Sequence, residues 1–271
     1  MSGRRLLFVI ALIIPLFGWS QPNDRIMELL QSAPSQNPNL AAEKLNQFIS
    51  RMETKRAKIK SDESFLGFAF QEMHRTFLNT YKAYSQFPEI FDSGNYDCLS
   101  ATSLYSILLD TFGFEYKIIE TNYHIFLIVE TQQKQILIET TDRVNGFVTN
   151  NRYIKERLAV YNENRILMAA SGDQNYYQYK LDLYQRVMPE QLTGLLYFNQ
   201  AVTAFNNNDL WESATMLKKA IRIYNSPRVP EFVVILINKV AESELGVEEK
   251  KRLIIPFASF VKSNGALLAS R

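Results

Sequence analysis

The fold is decided by residues 95–113, which read NYDCLSATSLYSILLDTFG. From Cys98 onward, apolar side chains recur with the period of a helix, at Ala101, Leu104, Tyr105, Leu108 and Phe112. Gly113 follows them, and glycine is the residue that most often ends a helix. The sequence therefore predicts one helix that begins at Cys98, the only cysteine of the chain.

Three runs of β-branched and apolar residues come after this helix, at residues 116–120, 124–129 and 135–138. Their composition is typical of strands that are buried on both faces. Because a short polar segment joins the last two runs, we predict adjacent antiparallel strands. Residues 142–147 then leave the sheet through a turn that contains Gly146.

The remaining segments carry helical patterns on both sides of this sheet. Residues 22–84 predict helices, the last of them running from Phe65 to Tyr81, with His74 as a surface or half-buried structural histidine. Residues 171–175 are the most linker-like piece of the chain. Further helices are predicted at 153–161, 176–187, 192–205, 210–223, 232–245 and 248–261, with Pro227 and Pro230 interrupting the helices before residue 232.

The composition excludes several classes of protein. Among 271 residues, 46% are hydrophobic and only 10 are glycine and 9 proline, which excludes a collagen-like or disordered chain. There are 30 basic and 28 acidic side chains, a net charge of +2. Such a balanced surface gives no electrostatic reason to expect a nucleic-acid partner.

The first 20 residues have the pattern of a secretory signal peptide. Arg4 and Arg5 precede an apolar run over residues 6–19, small residues lie at Gly18 and Ser20, and a polar segment begins at Gln21. A helix of that length spans about 21 Å, less than the roughly 30 Å of a bilayer core, which argues against the alternative of an uncleaved anchor. We therefore expect cleavage near Ser20 and Gln21, no stable membrane span afterwards, and a periplasmic or extracellular protein.

Export makes the single cysteine conspicuous. An unpaired thiol in an oxidising compartment is a liability unless it is buried, paired between chains or used in chemistry. At the start of a helix, the free backbone amides and the helix dipole favour an anion, so we expect a lowered pKa for Cys98.

A thiolate nucleophile needs a base, and the base needs a group that orients it. His124 begins the second predicted strand, and Glu139 follows the third, so the two side chains can meet across the hairpin. Each residue also has a structural explanation: a core histidine, a solvent-facing glutamate and a helix-capping thiol. Their combination and order predict a catalytic set.

These residues resemble motifs of the bacterial transglutaminase-like superfamily. The resemblance lies in residues 95–105, Gly113, residues 124–127 and residues 138–142, and it covers roughly residues 60–150. It implies an α+β fold with a papain-like core, in which helices pack on an antiparallel sheet. Cys98 falls on the nucleophile of the family and His124 on its base. Glu139-Thr140-Thr141 falls on a segment usually written Asp-Pro-Thr, which leaves Glu139 or the nearby Asp142 as the acid.

The resemblance implies acyl transfer through a thioester on Cys98. The expected protein is a secreted or periplasmic hydrolase of peptide or protein carboxamides, and an amine acceptor in place of water would give cross-linking. The Cys98 amide and Tyr96 are candidate oxyanion donors. No cofactor is implied, and the spacing of histidines and cysteine does not suggest a metal site. The alternative is a catalytically inactive module that binds a peptide or a partner protein.

The C-terminal residues resemble a tetratricopeptide-type helical hairpin. The resemblance rests on Tyr197, Ala201, Ala204, Phe205, the segment 208–213, Leu217, residues 219–220 and Pro227, with Ser213 where alanine is usual. It implies a groove for a protein partner, whereas a generic helix pair that packs on the core is the alternative. The resulting domains are a transglutaminase-like domain at 21–160, a connecting helical segment at 161–190 and an all-α region at 191–271.

Overall fold

The computed structural model describes residues 22–122, 124–163, 183–224 and 226–269. The predicted signal peptide and the predicted linker at 171–175 lie outside these residues. None of the helices in the described ranges combines the length and the apolar character needed to span a bilayer.

The first part of the chain is mainly helical, as predicted. Two of these helices have capping side chains at their N-termini. The Asn37 side chain accepts a hydrogen bond from the Leu40 amide at 3.0 Å, and the Ser61 hydroxyl accepts one from the Ser64 amide at 3.3 Å. The elements up to the cysteine are α1 (Pro22–Leu30), α2 (Pro38–Lys58), α3 (Asp62–Thr76), β1 (Thr80–Tyr81), α4 (Glu89–Asp92) and β2 (Asn95–Tyr96).

The predicted end of the third helix is wrong. Helix α3 stops at Thr76, and Tyr81 lies in β1, which pairs in parallel with β2 so that Tyr81 faces Tyr96 in the register. The amide of Lys82 donates to the carbonyl of Tyr96 at 2.8 Å and continues this pairing. An apolar pattern in both segments hid the change from helix to strand.

The predicted helix at Cys98 is confirmed as α5 (Cys98–Thr111). Asp97 caps it, since its carboxylate accepts from the Ser100 amide at 2.8 Å while the Ser100 hydroxyl accepts from the Asp97 amide at 2.9 Å. This reciprocal pair sets where the helix begins, and it places Cys98 in the first helical position.

The predicted antiparallel sheet is also confirmed and has two more strands than expected. Its order is β6-β5-β4-β3-β7, with every pair antiparallel. Its members and the helix between them are β3 (Glu115–Thr121), β4 (Ile125–Glu130), β5 (Gln135–Ile138), β6 (Phe147–Val148), α6 (Asn151–Glu163) and β7 (Tyr184–Val187).

Strand β7 corrects the predicted helix at residues 176–187. Residues 184–187 pair with β3 as an edge strand, while residues 176–182 lie outside the described ranges. An edge strand of four residues has too short a pattern to be distinguished from part of a helix.

Alternate side chains of the central strands lie on opposite faces of the sheet and belong to two different hydrophobic clusters. Ile125 and Leu127 belong to the main core, which also contains the apolar face of α5. Phe126 and Ile128 point to the opposite face, where they join Ile154 of α6 in a smaller cluster. The central strands are therefore covered on both faces, which explains their continuous apolar runs.

The C-terminal region is helical throughout its described part. It consists of a 3₁₀ turn (Pro189–Gln191), α7 (Leu192–Asn206), α8 (Leu210–Ala220), α9 (Arg228–Glu242), α10 (Val247–Ile254), a 3₁₀ turn (Ile255–Phe257) and α11 (Ala258–Ala269). Helix α9 begins earlier than predicted because Pro230 lies in its first turn, where a missing amide hydrogen costs no helical hydrogen bond.

The C-terminal helices pack directly on the rest of the protein. Helix α7 contacts α1 and α5, and the Gln200 side chain donates to the Ser32 carbonyl at 3.1 Å. The pair α7–α8 is a close helical hairpin, as predicted. Together with the sheet and the helices before it, this region makes the fold a mixed α+β arrangement, in agreement with the sequence-based expectation.

Candidate active site

Cys98 lies where the first turn of α5 meets the sheet. Its side chain is half-buried, and the Thr140 hydroxyl donates to its carbonyl at 3.4 Å. Its sulfur interacts with the backbone amides of Leu99 and Ile125, and Ile125 is the residue after His124. The thiol therefore lies beside the strand end that carries the histidine, and the residue is partly accessible to solvent while it packs against the main core.

His124 is held at the tip of the β3–β4 hairpin. The Thr121 amide donates to the His124 carbonyl at 2.7 Å, and the His124 amide donates to the Thr121 hydroxyl at 3.2 Å. Its side chain is 20% exposed, and ring atom Nε2 is hydrogen-bonded to Oε2 of Glu139. The predicted meeting of His124 and Glu139 across the hairpin is thus observed.

Glu139 is a buried carboxylate with a complete set of partners. Its Oε1 accepts from the Thr141 amide at 3.1 Å and from the Thr141 hydroxyl at 2.7 Å. Its Oε2 accepts from the Tyr161 hydroxyl at 2.6 Å in addition to His124. Burial raises the pKa of Glu139, but these donors outweigh it and lower the pKa from 4.5 to about 2.

The other candidate acid, Asp142, has different partners. Its carboxylate accepts from Arg157 at 3.1 Å and from the amides of Val144 and Asn145 at 3.2 and 2.8 Å. Burial opposes ionisation of Asp142, yet the hydrogen bonds from Asn145 and Arg157 lower its pKa overall. Asp142 therefore shapes the turn after β5, and Glu139 is the carboxylate that contacts His124.

Tyr161 is a site residue that the sequence did not reveal. Its ring lies 5.5 Å from the His124 ring and 4.8 Å from Phe126, between centroids, so it covers the bond between His124 and Glu139. Burial and the Glu139 charge raise the pKa of Tyr161 well above its ordinary value, so it stays a hydrogen-bond donor. The only sequence signal is an aromatic residue late in α6.

The expected low pKa of Cys98 is wrong. Burial raises the pKa of the thiol, and the neighbouring charges of Asp97 and Glu139 raise it further, against the smaller effect of the Ile125 and Leu99 amides. Asp97 is the cap of α5, so its negative charge lies next to the thiol. That charge opposes the stabilisation of a Cys98 thiolate by the helix start. Free ionisation of Cys98 is therefore unfavourable in this structure.

Two tyrosines, Tyr96 and Tyr81, lie in the strands that precede Cys98. Tyr96, a candidate oxyanion donor, is buried with its ring 6.3 Å from His74 and 6.0 Å from Tyr81. Tyr81 is half exposed; burial raises its pKa, and the charges of Cys98, Asp97 and Glu139 raise it further. An oxyanion role for Tyr96 remains a prediction.

The expectation of a surface or half-buried His74 is wrong. His74 is 1% exposed, and neither ring nitrogen has a hydrogen-bond partner among the described residues. Its ring lies 4.7 Å from that of Phe70 and 6.3 Å from that of Tyr105. Burial and the Arg143 charge lower the pKa of His74 from 6.5 to about 4. Its polar sequence neighbours occupy the opposite, exposed face of α3.

Neutral burial of His74 predicts acid-sensitive stability. Between pH 6.5 and 4 the unfolded chain binds a proton at this residue and the native protein does not, so the free energy of unfolding falls as the pH falls. We expect a loss of about 3 kcal/mol over this range. In urea unfolding at pH 7 and pH 4, His74→Phe should lose distinctly less stability than the wild type. An equal loss in both proteins would contradict the assignment to His74.

Among the described residues, no three histidine, cysteine, aspartate or glutamate side chains are grouped to hold a metal ion. The chain matches no family model, no curated protein and no solved structure. The case for a function therefore rests on the contacts of Cys98, His124 and Glu139.

Proposed function

We propose that this protein is a transglutaminase-like cysteine hydrolase with a papain-like core, which cleaves peptide or carboxamide bonds through a thioester on Cys98. The observation that carries the proposal is the imidazole of His124, bonded to a buried carboxylate on one side and adjacent in the chain to the amide that contacts the thiol. A nucleophile, a base and an orienting acid are the groups that acyl transfer requires.

The Glu139 bond determines which nitrogen of His124 exchanges protons with the thiol. Because Nε2 donates to the carboxylate, Nδ1 carries the lone pair and receives the thiol proton. The sulfur attacks the carbonyl carbon, the C–N bond breaks, and the imidazolium returns its proton to the departing amine. Water then adds to the thioester, His124 takes its proton, and the carboxylic acid leaves as the thiol forms again.

The raised pKa of the free thiol is compatible with this sequence of steps. A lone thiolate beside Asp97 and Glu139 is unfavourable, whereas proton transfer to His124 creates a thiolate and an imidazolium together. Glu139 stabilises that imidazolium through its hydrogen bond to Nε2. The backbone amide of Ile125 faces the sulfur and further supports the thiolate.

The same raised pKa also favours a second candidate function. If proton transfer to His124 does not occur, Cys98 stays a neutral thiol, and the protein only binds a peptide or a partner protein. The exported location and a partner site on the C-terminal helices belong to both candidates and remain predictions.

Labelling of Cys98 separates the two candidates. For the hydrolase, we expect iodoacetamide to label the wild type at pH 6 at least about tenfold faster than free cysteine, whose thiol is mostly protonated there. His124→Ala should remove the advantage, and mass spectrometry should detect an acyl adduct on Cys98 after incubation with activated peptide esters. Cys98→Ala is the control for the adduct. Labelling slower than free cysteine together with no adduct would contradict the hydrolase.

A further inference from the structure

A second buried carboxylate links the sheet to the C-terminal helices. Glu120 of β3 has a side chain that is 3% exposed. Its two oxygens accept from the Tyr224 hydroxyl at 2.7 and 2.6 Å, and Oε1 also accepts from Arg228 at 2.6 Å. Oε2 accepts from Gln185 of β7 at 2.8 Å. We call these four residues the Glu120 cluster.

The Glu120 cluster lies next to the turn of the hairpin that carries His124. Glu120 pairs in the sheet with Ile125, whose amide contacts the Cys98 thiol. The next residue, Thr121, holds both the amide and the carbonyl of His124. A displacement of Glu120 is therefore passed through one residue pair to both the histidine and the thiol.

The helical side of the cluster is tightly packed. Gly194 of α7 lies so close to Tyr224 that a β-carbon there would be 2.8 Å from the Tyr224 backbone nitrogen and Cβ. The Tyr224 ring lies 5.5 Å from the Phe198 ring, between centroids. The Arg228 guanidinium lies 4.8 Å from the centre of the Phe198 ring. Tyr224 and Arg228 therefore have little freedom to move relative to the C-terminal helices.

Stability alone does not explain an ionic cluster at this position. Apolar side chains of similar volume often stabilise a buried contact as well as an ion pair does. Charged and directional bonds, in contrast, fix the distance and orientation of the groups that they join. Glu120 accepts hydrogen bonds from three side chains in two separate segments of the chain, Gln185 in one and Tyr224 and Arg228 in the other, and they restrict its position along and across the strand.

We propose that the C-terminal helices position the candidate active site through the Glu120 cluster, which makes Tyr224 and Arg228 positioning residues for His124. The inference rests on the proposed hydrolase function and adds to it: the helical region is part of the catalytic unit. The helices α7–α9 would then hold His124 in position. This role differs from the two that the sequence suggested for them, packing on the core and binding a protein partner.

Two tyrosine-to-phenylalanine variants test this inference. Tyr224→Phe removes one hydroxyl from Glu120 with no change of charge. Tyr116→Phe is the matched control, because it also removes one hydroxyl without a change of charge. Tyr116 lies on β3, like Glu120, but at the end of the strand far from His124, and its hydroxyl bonds to Asp110 at 2.7 Å. We expect Tyr224→Phe to lower kcat about tenfold with KM changed less than twofold, as for a displaced catalytic group. Tyr116→Phe should leave both constants within twofold of the wild type.

The NMR signal of His124 provides a readout that does not depend on turnover. The chain has two histidines, so His74→Phe assigns the two Hε1 resonances. We expect Tyr224→Phe to move the His124 resonance and Tyr116→Phe to leave it in place. If the wild type does not hydrolyse any peptide amide, the proposed function fails, and the His124 resonance still decides the inference. Wild-type kcat and an unmoved resonance in folded Tyr224→Phe would overturn the inference alone.

Discussion

Replacing Glu139 with glutamine is expected to lower the rate of amide hydrolysis about 10,000-fold, the size of effect found when the orienting acid of a triad is neutralised. The glutamine carbonyl can still accept the two bonds from Thr141. Its NH₂ group then faces Nε2 of His124 and turns that atom into an acceptor. The ring proton moves to Nδ1, which can no longer take the proton of the Cys98 thiol.

Asp142→Asn is the matched control for Glu139→Gln. It makes the same chemical change three residues further along, where the carboxylate bonds to Arg157. We expect its rate to stay within about threefold of the wild type, because no bond to His124 is lost. A larger loss in Asp142→Asn than in Glu139→Gln would reverse the assignment of the acid. Thermal unfolding of both variants shows whether lost activity reflects lost structure.

Gly146→Ala is expected to destabilise the protein by about 4 kcal/mol, at the upper end of single substitutions. A β-carbon at this position would lie 2.2 Å from the Glu139 carbonyl oxygen and 2.3 Å from that of Asp142. Both atoms belong to the backbone, so no side-chain rotation relieves the overlap. The turn must open, and the bond from the Glu139 amide to the Gly146 carbonyl, 2.8 Å long, is lost with it. Because Glu139 moves with that turn, hydrolysis should fall as well.

Gly113→Ala is a control that separates crowding from backbone strain. Gly113 has a φ of +68°, but no atom lies within 4 Å of the β-carbon it would gain. We expect a cost of about 1 kcal/mol from the left-handed backbone alone. Urea unfolding of the two variants measures both values. If Gly113→Ala costs as much as Gly146→Ala, the crowding argument for the turn is wrong.

Much of the candidate site was predictable because its parts are close in the sequence. The apolar period after Cys98 and the glycine at its end predicted α5, and the structure adds the Asp97 cap. His124 and Glu139 belong to neighbouring strands joined by one short turn, so strand alternation alone brings their side chains to the same face. The choice between Glu139 and Asp142 needed coordinates, because both follow the same strand.

Other parts of the site depend on segments that meet only in the folded protein. Tyr161 reaches Glu139 because α6 folds back over the sheet, and no local pattern encodes that contact. Tyr224 and Glu120 are separated by 104 positions and still form one cluster. His74 is polar in type and has polar neighbours, yet the packing of α3 turns it inward.

The sequence by itself determined the helix that begins at Cys98, the antiparallel strands after it and the closeness of His124 to the end of the next strand, because periodicity and short connections act locally. Only the tertiary structure decided the charge environment of the thiol, the burial of His74 and the anchoring of the hairpin by Glu120. Burial and electrostatic interaction depend on every group that surrounds an atom in space, and most of those groups come from distant parts of the chain.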